Sequence, residues 1–328
     1  MSVRIGFIGT GGIAQRHLQT LSENPEAQLI AYCDLELARA QKAAAEYGGN
    51  AYQDFEKMLE SEQLDALVIC TPPFAHGDIE LAACEQGLHM LIEKPVARDT
   101  AMALPVLDAI QQAGVTTVVA YKYRWEDHVQ KGREMLADQT IGLVFGNFWT
   151  STPGASWWRV KSQSGGQMIE QTTHIMDMAR FMVGEVERVQ AFGTLQAMNK
   201  VYPDFDIWDA TVANLEFANG AVGTISSTCL SENWGQSSLR VIAQKVTVEV
   251  KGGEGIGWVD ANGAGEYERQ IDGYQREANT FVEAIISGDR SEIYSDYADA
   301  VKTLAVTEAC NLSIENGGEV IAISEILG

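Results

Sequence analysis

Cysteine, positive charge and long apolar runs are all scarce in this chain. The five cysteines, Cys33, Cys70, Cys84, Cys229 and Cys310, are odd in number, widely scattered and contain no C-x-x-C pair. That excludes a disulfide framework and reads as reduced core residues of a cytosolic protein. Lys and Arg total 23 against 45 Asp and Glu, a net charge of −22. Such a field repels phosphate backbones and anionic lipid surfaces, so neither nucleic acid nor a membrane is expected as a partner. No stretch approaches the ~18 uninterrupted apolar residues of a membrane span. The first strand pattern starts at Val3, ahead of which no leader pattern fits, and a cytoplasmic location is expected. Internal repeats, low-complexity segments and extended linkers are also missing.

What is there suits a folded enzyme-sized chain. With 328 residues, 46% apolar and 21% charged, there is material for a full core and, at roughly 150 residues per domain, for about two domains. From Val3 to Ala120, short apolar runs (Val3–Ile8, Leu29–Cys33, Ala66–Cys70, His89–Ile92, Thr116–Ala120) alternate with helical patterns. This alternation predicts a doubly wound parallel sheet covered on both faces and ending near Lys122. Thereafter the pattern changes. A helix over about Gln167–Met182 is followed by four close strand-like runs, Val189–Gln196, Thr211–Phe217, Val222–Cys229 and Leu239–Val250. The hairpin signal Asn219-Gly220 predicts mainly antiparallel pairing, hence an α+β half with a large open sheet. Two last helices, about Tyr274–Ile286 and Tyr297–Ile314, stop at glycines.

Gly9-Thr10-Gly11-Gly12-Ile13-Ala14 follows the first strand and opens a helix, giving G-x-G-x-x-A in the context that gives the motif meaning. Gly9 permits the turn, Gly11 lets a pyrophosphate approach the backbone, and Ala14 lets helix and strand pack closely. Asp34 ends the second strand 20 residues after Ala14, where a carboxylate accepts from both ribose hydroxyls. An N-cap role for Asp34 is compatible with this. Asp34 would repel a 2′-phosphate and Leu35–Ala38 holds no arginine to receive one, which predicts NAD over NADP.

Two further segments complete a pattern: Cys70-Thr71-Pro72-Pro73-Phe74-Ala75-His76 after the fourth strand and Glu93-Lys94-Pro95 after the next. With the glycine motif they resemble the Gfo/Idh/MocA oxidoreductases, and the resemblance covers essentially the whole chain. It implies a Rossmann dinucleotide-binding domain over 1–122 and an α+β substrate-binding and oligomerisation domain over 123–328, the last helices being candidates to pack back on the first domain. It further implies that Thr71, Pro72, His76 and Glu93 flank the cofactor together with Gly12 and Ile13. Lys94 is implied as a catalytic residue that also contacts cofactor and substrate, and the Lys94–Pro95 bond is often cis in such proteins. A free lysine titrates near 10.4, and a neighbouring cationic nicotinamide would favour its neutral amine.

In the segment Gly165-Gly166-Gln167-Met168-Ile169-Glu170-Gln171-Thr172-Thr173-His174-Ile175-Met176-Asp177, a helix aligns Glu170, His174 and Asp177 on one face. A carboxylate beside an imidazole orients it and stabilises its charged form, making His174 a candidate general base with Glu170 as its partner. The family pattern has Asp more often than Glu at this place. Asp177 is equally well explained by a helix-face salt bridge, for example to Arg180. No H-E-x-x-H occurs and no third ligand accompanies Glu170 and His174, so no metal is expected. Candidate substrate-wall residues are Tyr121, Tyr123, Arg124, Trp157, Trp158 and Arg159, with Trp234 in a late loop. The reading is an NAD-dependent oxidoreductase acting on a secondary alcohol or ketone of a sugar, cyclitol or related polyol. Two alternatives stay open: an NAD-dependent glycoside hydrolase working by transient oxidation, and a non-catalytic NAD- and sugar-sensing regulator. The resemblance implies a homodimer or homotetramer through the second-domain sheet.

Overall fold

The computed structural model describes residues 2–328 and divides into two compact units. The first comprises residues 2–97, 101–122 and 272–299; the second comprises 98–100, 123–271 and 300–328.

In the first unit, the strands β1 (Val3–Ile8), β2 (Ala27–Cys33), β3 (Asn50–Tyr52), β4 (Ala66–Ile69), β5 (His89–Ile92) and β6 (Thr117–Val119) form one parallel sheet in the order 3-2-1-4-5-6. β4 is wholly buried and β1 nearly so, as a sheet covered on both faces requires. The order reverses direction beside β1, so the crevice beyond the carboxyl ends of β1 and β4 is the place where such sheets bind ligands. The helix Gly273–Ser287 belongs to this unit and packs on the helix Gly12–Ser22, with Gln275 donating to the Thr20 carbonyl at 3.1 Å. β3 and the helix Phe55–Ser61, which Asp54 caps, have no counterpart among the strands and helices expected from the sequence.

The second unit is built on a nine-stranded sheet. Its strands are β7 (Ile141–Trp149), β8 (Val186–Thr194), β9 (Ala210–Phe217), β10 (Val222–Thr228), β11 (Gln236–Ala243), β12 (Val246–Lys251), β13 (Gly255–Asp260), β14 (Gly263–Glu268) and β15 (Ile321–Ala322). They lie in the order 14-13-12-11-7-10-9-8-15, antiparallel except where β10 runs parallel to β7. The hairpin at Asn219-Gly220 forms, with Gly220 at φ +87°. The single run expected over Leu239–Val250 is two strands, because the chain reverses at Gln244-Lys245 and β11 pairs back with β12. One sheet face carries the helices Asp127–Leu136 and Thr173–Val183 over a core that includes Val144, Ile175, Ile225 and Leu239. At Gly146 the helix comes so close that an added Cβ would stand 2.7 Å from Ile175. No helix among the described residues is long and apolar enough to cross a membrane.

Candidate active site

At the carboxyl end of β1, the Gly9 N–H donates to the Cys33 carbonyl at 2.8 Å. Gly9 has φ +82°, and a Cβ there would lie 2.4 Å from the Cys70 carbonyl oxygen, so the turn admits glycine alone. Gly11 caps the helix Gly12–Ser22 with no side-chain capping bond and no acid in the first turn. The positive end of the helix is thus not neutralised by its own side chains. A Cβ on Gly12 would meet nothing within 4 Å, Ile13 is exposed, and Ala14 is buried against the sheet. Asp34 fastens the end of β2 to this loop: one oxygen accepts from Thr10 N at 2.9 Å and Thr10 Oγ1 at 3.1 Å, the other from Glu36 N at 2.9 Å.

Beyond β4, Pro72 leads into a short turn at Pro73–Ala75, and Thr71 Oγ1 is buried without a hydrogen-bond partner. His76 is buried and its Nδ1 donates to Glu80 at 2.6 Å, while the second Glu80 oxygen accepts from Gly77 N at 2.6 Å. That ring nitrogen is therefore committed to the start of the next helix.

Glu93 closes β5 and is buried. It accepts from His17 Nε2 at 2.8 Å and from the backbone N–H of Lys94 at 3.0 Å. Burial by itself would raise this carboxyl, but His17, through both hydrogen bond and charge, and Lys94 outweigh it and hold it below the usual glutamate range. Lys94 is half-buried and the Lys94–Pro95 peptide is cis. The His17 ring stands edge-on to Tyr274 at 5.5 Å, and Lys122 Nζ lies 4.8 Å from the centre of the same Tyr274 ring. Burial, with the carboxylates Glu93 and Glu277, drives the Cys70 thiol well upward, so it supplies no thiolate. His17, Tyr274 and Lys122 were not among the expected site residues. The available signal was a histidine three residues after Ala14 on the buried face of the glycine-motif helix.

These features suit a bound dinucleotide: an uncapped helix start for the pyrophosphate, open space at Gly12, a carboxylate at the end of β2 for the ribose, and an unsatisfied buried hydroxyl on Thr71.

In the second unit the expected single helix from Gln167 has a π-helical first turn, Met168–Thr172, before the α-helix Thr173–Val183. Single π turns inside helices recur at functional sites. Gly165 and Gly166, at φ +75° and +95°, feed the chain into it, and Asn311 donates to the Gly165 carbonyl at 2.8 Å. Glu170 lies in the π turn and accepts from Trp158 Nε1 at 2.6 Å. His174 is half-buried, edge-on to Tyr123 at 5.6 Å and nearly parallel to Phe148 at 6.4 Å.

The expected wall residues fall into different surroundings. Arg124 is buried and grips Asp177 with two hydrogen bonds, Nε at 2.9 Å and Nη2 at 2.6 Å, so its guanidinium is committed within the core. Asp177 also accepts from Thr303 at 3.0 Å, and Arg180 pairs with Glu185. Trp158 and Tyr121 are only 1% exposed, Trp157 is half-buried, and Arg159 is paired with Asp204 over the Tyr202 ring. Trp234 is exposed and its ring lies 5.6 Å from that of Trp149. Among the described residues no group of three or more His, Cys, Asp or Glu is arranged to hold a metal ion.

Residues 3–121 match the model of an oxidoreductase family with an NAD-binding Rossmann fold, and residues 129–252 match the GFO/IDH/MocA C-terminal domain. The chain belongs to the Gfo/Idh/MocA family. Among its relatives is an inositol 2-dehydrogenase of Rhizobium meliloti, 27% identical over 96% of this chain and 97% of that protein. A myo-inositol 2-dehydrogenase of Thermotoga maritima is 26% identical over 99% and 100%. In fold, the chain is similar to levoglucosan dehydrogenase solved with NADH and levoglucosan, with a TM-score of 0.87 at 21% identity over 98% of this chain and all of that one. As a Gfo/Idh/MocA oxidoreductase it is a dehydrogenase whose first unit binds NAD.

Proposed function

We propose that this NAD-dependent dehydrogenase interconverts a secondary alcohol and a ketone on a sugar, cyclitol or related polyol, with His174 as base and Lys94 assisting at the same oxygen. The observation that carries the reading is Lys94 itself. It lies two residues beyond β5, past the carboxyl end of the sheet that carries the glycine loop and Thr71, and its backbone is pinned by the buried Glu93–His17 pair. The curated relatives named for inositol support the substrate class.

Bound NAD would supply a two-electron hydride acceptor. The chain's own residues do the rest. Gly9, Gly11 and the open helix start hold the pyrophosphate, and Asp34 receives the ribose hydroxyls. His174 takes the hydroxyl proton, Glu170 supports the imidazole, and Lys94 donates to the same oxygen, stabilising the alkoxide character from which hydride leaves. Acid–base assistance of this kind is worth about 10² to 10⁴ in rate.

The test is a spectrophotometric screen for NADH formation across sugars and inositols, followed by Lys94→Ala. The variant is expected to lose turnover by at least about 10²-fold while binding NAD as before. Equal turnover would refute the mechanism. Release of a sugar with no net redox change would instead identify a glycoside hydrolase, and binding of NAD and sugar without turnover would identify a regulator.

We further infer a cytosolic homodimer or homotetramer. The face of the second-unit sheet turned away from its helices exposes Phe145, Phe192, Val212 and Val222, brought onto one side by the strand register. Light scattering of Phe145→Asp should show a smaller assembly than wild type; a monomeric wild type would overturn the inference.

A further inference from the structure

Glutamate is a poor choice where a carboxylate must stand still. Its three side-chain torsions are costly to order, and a charge-assisted hydrogen bond is an efficient way to order them. In this chain the Glu170 carboxylate receives the Trp158 indole N–H at 2.6 Å. The donor is well anchored. Trp158 is 1% exposed and packs in a small core of its own with Phe205, Ile207 and Cys229, its ring 6.3 Å from that of Phe205. The loop carrying it is laced to the segment beneath: Asp206 N donates to the Arg159 carbonyl at 3.2 Å, and Asp206 accepts from Lys161 N at 2.5 Å. An indole has one polar hydrogen and no acceptor, so here it can only hold a carboxylate oxygen, never compete for a proton.

We propose that Trp158 is a positioning residue of the acid–base centre, fixing the Glu170 carboxylate on the π turn that leads into His174. The proposal deepens the function proposed above and rests on its assignment of Glu170 and His174. It replaces the expectation that Trp158 forms part of the substrate wall: the side chain acts through Glu170 and not on the substrate.

The test separates the pair from the reading beneath it. In the full-length protein labelled with ¹⁵N-tryptophan, the indole resonance that vanishes in Trp158→Phe is that of Trp158. It is expected far downfield, and it should move upfield in Glu170→Gln, with no substrate needed. In kinetics, Trp158→Phe should lower kcat about ten-fold, as loss of a hydrogen bond to a charged group implies, with the KM for polyol and the affinity for NAD kept within about two-fold. In a Glu170→Gln background the same replacement should cost little more. Should Trp158→Phe not fold, Glu170→Asp serves instead. It keeps the charge but withdraws the carboxylate by one methylene from the indole, and it should shift the same resonance and lower kcat. An indole resonance indifferent to Glu170→Gln, or equal losses in both backgrounds, would overturn the pairing while leaving the dehydrogenase reading intact. Absence of NADH formation with every polyol would overturn that reading, and with it the role given to Trp158.

Discussion

Arg124→Met tests the reassignment of Arg124 from substrate wall to scaffold. The arginine and Asp177 are both almost fully buried, joined by two hydrogen bonds at 2.9 and 2.6 Å. Methionine fills much of the same space without a donor. Asp177 then keeps Thr303, at 3.0 Å, but loses the guanidinium that binds both its oxygens. Breaking one side of a buried ion pair typically costs about 3–5 kcal/mol, most of it the penalty of an uncompensated charge. At roughly 2–4 °C per kcal/mol for a unit of this size, thermal unfolding should fall by on the order of 10 °C. The double variant Arg124→Met/Asp177→Leu removes both charges and should recover most of that loss. Circular dichroism melts of wild type, both single variants and the double variant decide the matter. A melt of Arg124→Met within about a degree of wild type, or a double variant as unstable as the summed singles, would refute the scaffold role. The kinetic signature should differ from that of Lys94→Ala as well. Arg124 grips the helix that bears both His174 and Asp177, and Tyr123 beside it contacts the His174 ring, so a loosened pair should lower kcat more than it weakens NAD binding.

Two further predictions concern cofactor choice and pH. Wild type should show a clearly lower KM for NAD than for NADP. Asp34→Ala, losing both the proposed ribose acceptor and the anchor of Thr10, should raise the KM for NAD about ten-fold or more and narrow that preference, whereas a wild type preferring NADP would defeat the assignment. His128 is held below the ordinary histidine range, chiefly by burial and also by Arg269, against the raising influence of its Gly252 hydrogen bond and of Asp127. The unfolded chain therefore binds this proton at a higher pH than the folded one, so stability is full above about 6.5 and falls as pH drops below it toward the folded value. Urea midpoints at pH 7.5 and 5.5 should differ less in His128→Gln than in wild type; an identical difference would count against the assignment.

The parallel sheet was legible because each of its central strands is a short run of buried apolar residues between helical patterns. The strands that escaped notice are those whose pairing depends on tertiary contacts. β13 and β14 are rich in glycine and acid, and their register places Trp258 across from Gly265, where a Cβ would lie 2.2 Å from the indole. Such a pair is stabilised by the ring lying over a bare backbone, which no propensity or alternation reveals.

The candidate site divides along the same line. Gly9, Gly11, Asp34 and His174 are candidates from local spacings, and Lys94 is a candidate from the family motif Glu93-Lys94-Pro95. Their supports could not be read from the chain, since His17 meets Glu93 across 76 residues and Arg124 meets Asp177 across 53. Periodicity tells which face of a helix a side chain occupies, not which distant group waits there, so nothing local to Asp177 pointed to Arg124. The supports share a physical character. Lys94 and His174 are half-buried and reachable, whereas Glu93, Trp158, Arg124 and Asp177 are buried. A reacting group must meet its substrate, but the groups that aim it act more strongly where water is excluded and the local dielectric is low. In this chain the accessible chemistry is written in motifs, and the dry framework that orients it is written only in packing.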